Sequence, residues 1–380
     1  MKMDEIYRQL VMYGAAYVDG DVIFYNYING SIIRFNIGTG KSNILWKDPT
    51  DDFFRWDMYG GAEKHGNEIV FAPRCADNIL IIHLDNNCVE FIPYETDSLI
   101  DGRKINQFVD VHLYRDYYYF FPGRNDEIIK IHKDTHELSY IGGWSQTLGE
   151  VPVRGSVKFS NARRINEELC MLACFQKGKV LEFHMGSDNW KIHDICDEAL
   201  SDIVFDGKDY WISQRDIGGV IKWNPDRNKD EVRSIKIEPG NILKDRGYIY
   251  IIDGGESLFL VPFRGNAIVK LYKNSGDYDI IPAWDEAVCA DNMKQINQVE
   301  TNAFSCKRIS ADLNLIYDAF QGNIIILNAV NGTFNKIPMC LSQNDAMQIQ
   351  KRNYENSMRG IITENTEMNL SDLVSYVSML

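Results

Sequence analysis

The sequence predicts an all-β fold of seven repeated units, each made of four antiparallel strands. Three observations carry this. A four-residue phrase (two apolar residues, a polar one and a further apolar one) recurs seven times in the 380-residue chain. Its copies begin at Ile32, Ile81, Ile128, Val180, Val220, Ile268 and Ile324, and only the last departs, with Ile326 in the polar place. A period of about 50 residues belongs to repeat architectures. Each copy also follows an aromatic or β-branched run, and turn signals flank most copies.

Within a unit the first strand is an apolar stretch: Tyr13 to Val18, Phe108 to Leu113, Val157 to Ser160 or Ile203 to Phe205. A tight-turn signal follows, such as Asp19-Gly20-Asp21, His65-Gly66-Asn67 or Asp206-Gly207-Lys208. The second strand is the aromatic or β-branched run, for example Val22 to Tyr25, Glu68 to Phe71, Tyr117 to Phe121, Leu169 to Leu172, Tyr210 to Ile212, Tyr248 to Ile251 and Leu315 to Tyr317. These runs are strand formers and too short for helices. The phrase is the third strand. Its first two residues point to opposite faces and both are apolar in every copy, so this strand is expected to be buried on both sides. After a second turn, as in Gly38-Thr39-Gly40 or Asn331-Gly332, a short fourth strand follows, such as Cys88 to Ile92 or Tyr278 to Ile281.

Radially repeated four-stranded sheets are the blades of a β-propeller. On these residues the chain resembles the β-propeller superfamily over roughly residues 10 to 340, most like bacterial non-WD propellers, since no Gly-His…Trp-Asp signature is present. The doublets Gly218-Gly219 and Gly254-Gly255 resemble kelch repeats, and the compact blades resemble streptogramin-lyase-like propellers without a matching catalytic His/Glu set. The domain reading is a seven-bladed propeller over 1–340 and a tail over 341–380.

Two segments depart from the repeat. Asp285 to Thr301 interrupts the sixth and seventh units, as a plain surface excursion or part of a binding face. In the tail, Asn369 and Asp372 suggest a capped helix. Leu370, Leu373, Val374, Val377 and Leu380 form its apolar stripe, to pack on the propeller or dock another protein.

Hydrophobic residues make up 45% and charged residues 25%, ordinary values for a soluble chain. The net charge of −14, with no run rich in Lys and Arg, argues against nucleic acid and against a membrane surface. Met1 to Leu10 has no apolar core, so no signal peptide is expected, and no apolar run reaches spanning length. The eight cysteines lack a disulfide-framework spacing and suit a reducing cytoplasm.

The resemblance places the loops between second and third strands, and the starts of the first strands, on one face around the channel. Four of those loops carry arginines: Arg74, Arg124, Arg215 and Arg264, three of them near Pro73, Pro122 or Pro262. A planar guanidinium suits carboxylate or phosphate, so the four either form an anion-binding mouth or tie blades together. First strands contribute Trp56, Asp57, Asp110, His112, Arg154, Asp202 and Asn241. Asp110 and His112 share a strand face, as an acid–base pair, metal ligands or a structural hydrogen bond. His83, His132 and His184 recur at one repeat position, and Cys170 and Cys174 are not a Cys-x-x-Cys pair, so neither a metal nor a cofactor is expected. No nucleophile elbow or phosphate loop is visible.

Two functions of different classes fit. The first is a monomeric, non-catalytic binding or scaffold propeller of the bacterial cytoplasm, taking a protein partner or small anionic ligand at the loop face; a small-molecule sensor is a variant of it. The second is a propeller lyase or hydrolase acting on an anionic carbohydrate or antibiotic-like molecule.

Overall fold

All seven copies of the phrase lie on the third strand of a four-stranded antiparallel sheet. The structure is a computed structural model describing residues 10–26, 30–48, 58–150, 157–227, 232–237, 247–263, 265–284, 303–310, 312–318, 322–342, 344–345 and 347. Its seven sheets span residues 12–47, 59–93, 108–141, 163–194, 200–236, 248–282 and 303–338, and are numbered blades 1 to 7 in that order. In each blade the strands follow one another from the axis outward, joined as neighbours.

The two-sided apolarity of the phrase has a direct structural counterpart. Seven apolar clusters fill the seven gaps between blades, and each takes one phrase residue from either side. The first phrase residue faces the next blade and the second faces the preceding one. Ile81, for instance, packs with Phe108, Val111 and Phe120 of blade 3, whereas Ile82 packs with Ile23, Tyr25 and Ile32 of blade 1. The third residue points the same way as the first, nearer the sheet edge; Lys130 thus reaches Asp188 of blade 4 at 2.7 Å. Ile326, the exception, is partly buried against the blade 1 interface.

The ring closes by packing of blade 7 against blade 1. Leu315, Tyr317 and Ile324 of blade 7 pack against Val22, Phe24, Ile33 and Phe35 of blade 1. The Tyr317 hydroxyl donates to the Leu10 carbonyl at 2.5 Å. Beyond blade 7, Cys340–Leu341 adds a short parallel strand to the outer edge of blade 1, pairing Cys340 with Lys41 and Leu341 with Ser42. The first described strand, Met12–Val18, and the last, Cys340–Leu341, therefore belong to one sheet.

Three elements differ from the sequence reading. In blade 4 the innermost strand is Arg163–Arg164, not 157–160, whose Phe159 makes a single bridge to Cys174. That strand faces the channel, where polar residues are satisfied, so an apolar search misses it. In blade 6, Tyr248–Asp253 is the first strand and Ser257–Pro262 the second; both are apolar, and the Gly254-Gly255 turn lies between them. A short helix, Trp144–Leu148, links blades 3 and 4 and buries Trp144 and Leu148 in the gap. The proposed terminal helix and the excursion from Asp285 to Thr301 lie outside the described residues. No helix among the described residues is long and apolar enough to cross a membrane.

On the outer part of blade 4, Glu182 accepts from His193 at 2.7 Å and from His184 at 2.8 Å. The His193 hydrogen bond is the main influence holding its carboxyl down to about 2, against the effect of burial, with His184 helping. A depressed carboxyl stabilises the folded state above its unfolded value of 4.5 and loses that contribution as pH falls toward about 2. Glu182→Gln is therefore expected to flatten the acid limb of a stability-against-pH curve between those values, measured by urea melts at each pH. An unchanged acid limb would show that this cluster does not contribute.

Candidate functional site: the central channel and its loop face

The innermost strands bring small residues to the axis because seven backbones converge there. A Cβ at Gly14 would lie 2.0 Å from the Gly60 carbonyl oxygen of the next blade, and one at Gly61 would lie 2.3 Å from Asp110 Oδ1. Side chains larger than hydrogen do not fit at these crossings. In six of the seven blades the pairing of first and second strands shifts register near the start of the first strand. Such bulges turn backbone groups out of the ladder.

Those backbone groups meet the loops that carry the arginines. The N–H groups of Arg74, Cys75 and Ala76 donate to the Met58 carbonyl at 2.8, 3.2 and 3.2 Å, and those of Gly123, Arg124 and Asn125 to the Gln107 carbonyl at 2.8, 3.2 and 3.2 Å. Each loop then receives the following blade: Gln107 N–H donates to Arg74 O at 2.7 Å, Lys158 N–H to Gly123 O at 2.6 Å and Gly247 N–H to Arg215 O at 2.5 Å. The loops between second and third strands thus share a face with the starts of the first strands, and they lace successive blades together.

Arg74 and Arg215 reach back to the preceding blade. The Arg74 guanidinium lies 4.0 Å from the centre of the Tyr13 ring. Arg215 lies 4.3 Å from the Phe175 ring centre, and its Nη1 donates to the Phe175 carbonyl at 2.9 Å, while Nε is 3.5 Å from Asp216. Cation–π stacking of this kind is worth about 0.5–2 kcal/mol. Arg124 is half-buried and makes no ion pair among the described residues. It sits near Lys158, whose ammonium is pulled below its ordinary range by burial, with Arg124 adding to the effect and Asp126 opposing it. Lys158 bonds Asp126 and the Asn125 carbonyl. Arg264 lies outside the described residues, as do Trp56, Asp57, Arg154 and Asn241.

Asp110 and His112 do share one face of the first strand of blade 3, with Oδ2 and Nε2 3.8 Å apart, too far for a hydrogen bond. His112 is buried, and its Nε2 is 2.8 Å from the Ala162 carbonyl of blade 4. A carbonyl only accepts, so Nε2 carries the proton and donates it there. Asp110 accepts from the Val111 N–H at 3.0 Å.

The strongest polar feature of the channel was only half-read in the sequence. Asp202, fully buried at the axis, accepts from Nε and Nη2 of Arg163, with Nε at 2.7 Å. It also accepts from Asn161 Nδ2 at 3.0 Å, Ile203 N–H at 2.8 Å and Ile251 N–H at 2.9 Å. Blades 4, 5 and 6 are joined through this one carboxylate. Burial acts against the Arg163 charge, and Asp202 more than offsets it, so the guanidinium stays firmly protonated. Beside it, burial pushes the Cys306 thiol up to about 11, with Arg163 opposing and Asp202 adding, which leaves a thiol and not a nucleophilic thiolate. Arg163 carries no signal in its neighbours, since the surrounding Asn161, Arg164, Asn166, Glu167 and Glu168 read as a polar loop. Between these groups lies a cavity of about 50 Å³ lined by Tyr13, Asp110, Asn161, Tyr250, Cys306 and Lys307, among others.

The chain matches no protein-family model and no curated protein sequence. Solved structures do resemble it. Virginiamycin B lyase from Staphylococcus aureus superposes with a TM-score of 0.53 at 12% identity, covering 77% of this chain and 90% of that one. YCF48 from Cyanidioschyzon merolae gives 0.57 at 11% identity, over 87% and 95%. YCF48 bound to D1 peptide gives 0.56 at 13%, over 84% and 91%. The chain is a seven-bladed β-propeller. At such identities the likeness is one of fold, and the propellers it resembles include both a lyase and a peptide-bound protein.

Proposed function

We propose that this propeller is a monomeric binding module of the bacterial cytoplasm that receives a protein partner on its loop face, around the mouth of the channel. The observation carrying this reading is the size of the channel cavity. Sites for drug-sized ligands run to about 300–1,000 Å³, whereas the cavity among the described residues beside Asp110 and Lys307 is about 50 Å³. Recognition of a large ligand therefore falls to the loops. Arg124, with no ion pair among the described residues, supplies a cation there for an acidic side chain of the partner. The commitment of His112 to Ala162 suits a structural role better than proton transfer. Free, buried Cys170 and Cys174 suit a reducing compartment. A structure of similar fold, YCF48, is bound to D1 peptide, which supports a protein-binding reading.

The test is affinity capture from native lysate by the full chain, by Arg124→Glu and by a form lacking residues 348–380. A partner that is retained by the wild type and lost with Arg124→Glu supports the loop-face reading. Dependence on the tail alone would move the interface elsewhere. Turnover of an anionic sugar or antibiotic-like substrate that disappears in His112→Ala would replace this reading with the enzyme one.

A further inference from the structure

Among the described residues, one cavity beside the innermost strands is lined by one acid and one base that do not pair. Arg163 closes on Asp202, and Arg164 Nη1 lies 3.8 Å from Glu63 Oε1. Asp110 and Lys307 remain, from blades 3 and 7, lining one cavity of about 50 Å³. Neither has an ion-pair partner among the described residues other than the His112 ring near Asp110, whose Nε2 proton is held by Ala162. Asp110 Oδ2 accepts no hydrogen bond there, and Lys307 uses one of its three N–H donors, on the Ala62 carbonyl at 3.0 Å. The two charged groups flank the same backbone segment of blade 2, since Asp110 Oδ1 lies against Gly61 and Lys307 against Ala62.

We propose that this cavity binds a small α-amino acid as its zwitterion, with the ammonium on Asp110 and the carboxylate on Lys307. Two opposite charges line one half-open space without forming an ion pair, and each has hydrogen-bonding capacity left. A singly charged guest compensates one and leaves the other bare, whereas a dipolar guest satisfies both with charge-assisted hydrogen bonds. The size agrees: at about 10–15 Å³ per water-sized probe, the cavity suits glycine or alanine and excludes aromatic side chains. Asn161, its amide nitrogen fixed by Asp202, and the Tyr13 and Tyr250 rings complete the wall. This small-ligand site is separate from the loop-face reading and does not depend on it.

Titration calorimetry on the full chain with glycine, alanine and tryptophan, and with methylammonium and acetate as single-charge controls, tests the assignment. Glycine and alanine are expected to bind at least tenfold more tightly than either control, and tryptophan not at all. Asp110→Asn and Lys307→Met are each expected to weaken glycine by about tenfold or more, with melting temperature confirming that each variant is folded. If a variant does not fold, the series of ligands on the wild type still decides. Absence of glycine binding, binding unchanged in both folded variants, or methylammonium binding as tightly as glycine would overturn the proposal, the first meaning that the cavity holds water.

Discussion

Arg163→Met is expected to lower the unfolding free energy by about 3–5 kcal/mol, the usual cost of leaving one member of a buried ion pair alone. The substitution preserves much of the side-chain length and removes the charge, so the loss reports on Asp202, which is fully buried at the axis. Asp202 would keep Asn161 Nδ2 and the N–H groups of Ile203 and Ile251, but no cation would balance its charge. Urea melts of wild type and variant measure the difference as a lowered midpoint. The double variant Arg163→Met/Asp202→Leu is expected to recover part of the loss, because no uncompensated charge remains. It would not recover all of it, since three donors from blades 4, 5 and 6 lose their acceptor. A cost below about 1 kcal/mol for Arg163→Met, the range of a surface pair, would show that the carboxylate is not dependent on its partner.

Ile81→Ala is expected to cost about 2–5 kcal/mol, because the first phrase residue is buried in the gap between blades 2 and 3. Ile82→Ala should cost a similar amount through a different gap, that between blades 1 and 2. The third residue is the control. His83 lies at the sheet edge, 3.1 Å from Glu68, with nearly a third of its side chain exposed, and His83→Ala should stay within about 0.5–1 kcal/mol. Thermal or urea melts of the three variants separate a strand buried on both faces from one buried on a single face, for which only one isoleucine would be costly.

That contrast also explains which parts of the propeller were legible in its sequence. The third strands were readable in every blade because period-two geometry puts Ile81 and Ile82 on opposite faces, and burial on both demands two apolar neighbours in sequence. The second strands were readable in six blades. In blade 6 the first strand, Tyr248–Asp253, is as apolar as the second, Ser257–Pro262, and the local pattern did not say which was which. The first strand of blade 4 is not apolar: Arg163 is satisfied by Asp202 of blade 5, and Arg164 is exposed and donates to the Asn166 and Glu167 carbonyls. The short helix Trp144–Leu148 was missed because five residues carry too little periodicity.

The candidate site divides along the same line. Arg74, Arg124 and Arg215 were placed on one face by counting from the phrase, and the backbone bonds to Met58, Gln107 and Ala199 hold their loops there. What each guanidinium touches was not readable. Tyr13 lies 61 positions from Arg74 and Phe175 lies 40 from Arg215. Asp110 and His112 were correctly put on one face, but the bond from His112 to Ala162 crosses 50 residues.

By itself, then, the sequence of this propeller determined the number of blades, the strand buried on both sides and the loops that crown one face, because those depend on neighbours along the chain. Only the tertiary structure decided how the ring closes, which charges pair at the axis and which two line one cavity. Those outcomes depend on seven strands, distant in sequence, converging on a channel too narrow for any of them to turn its polar groups away.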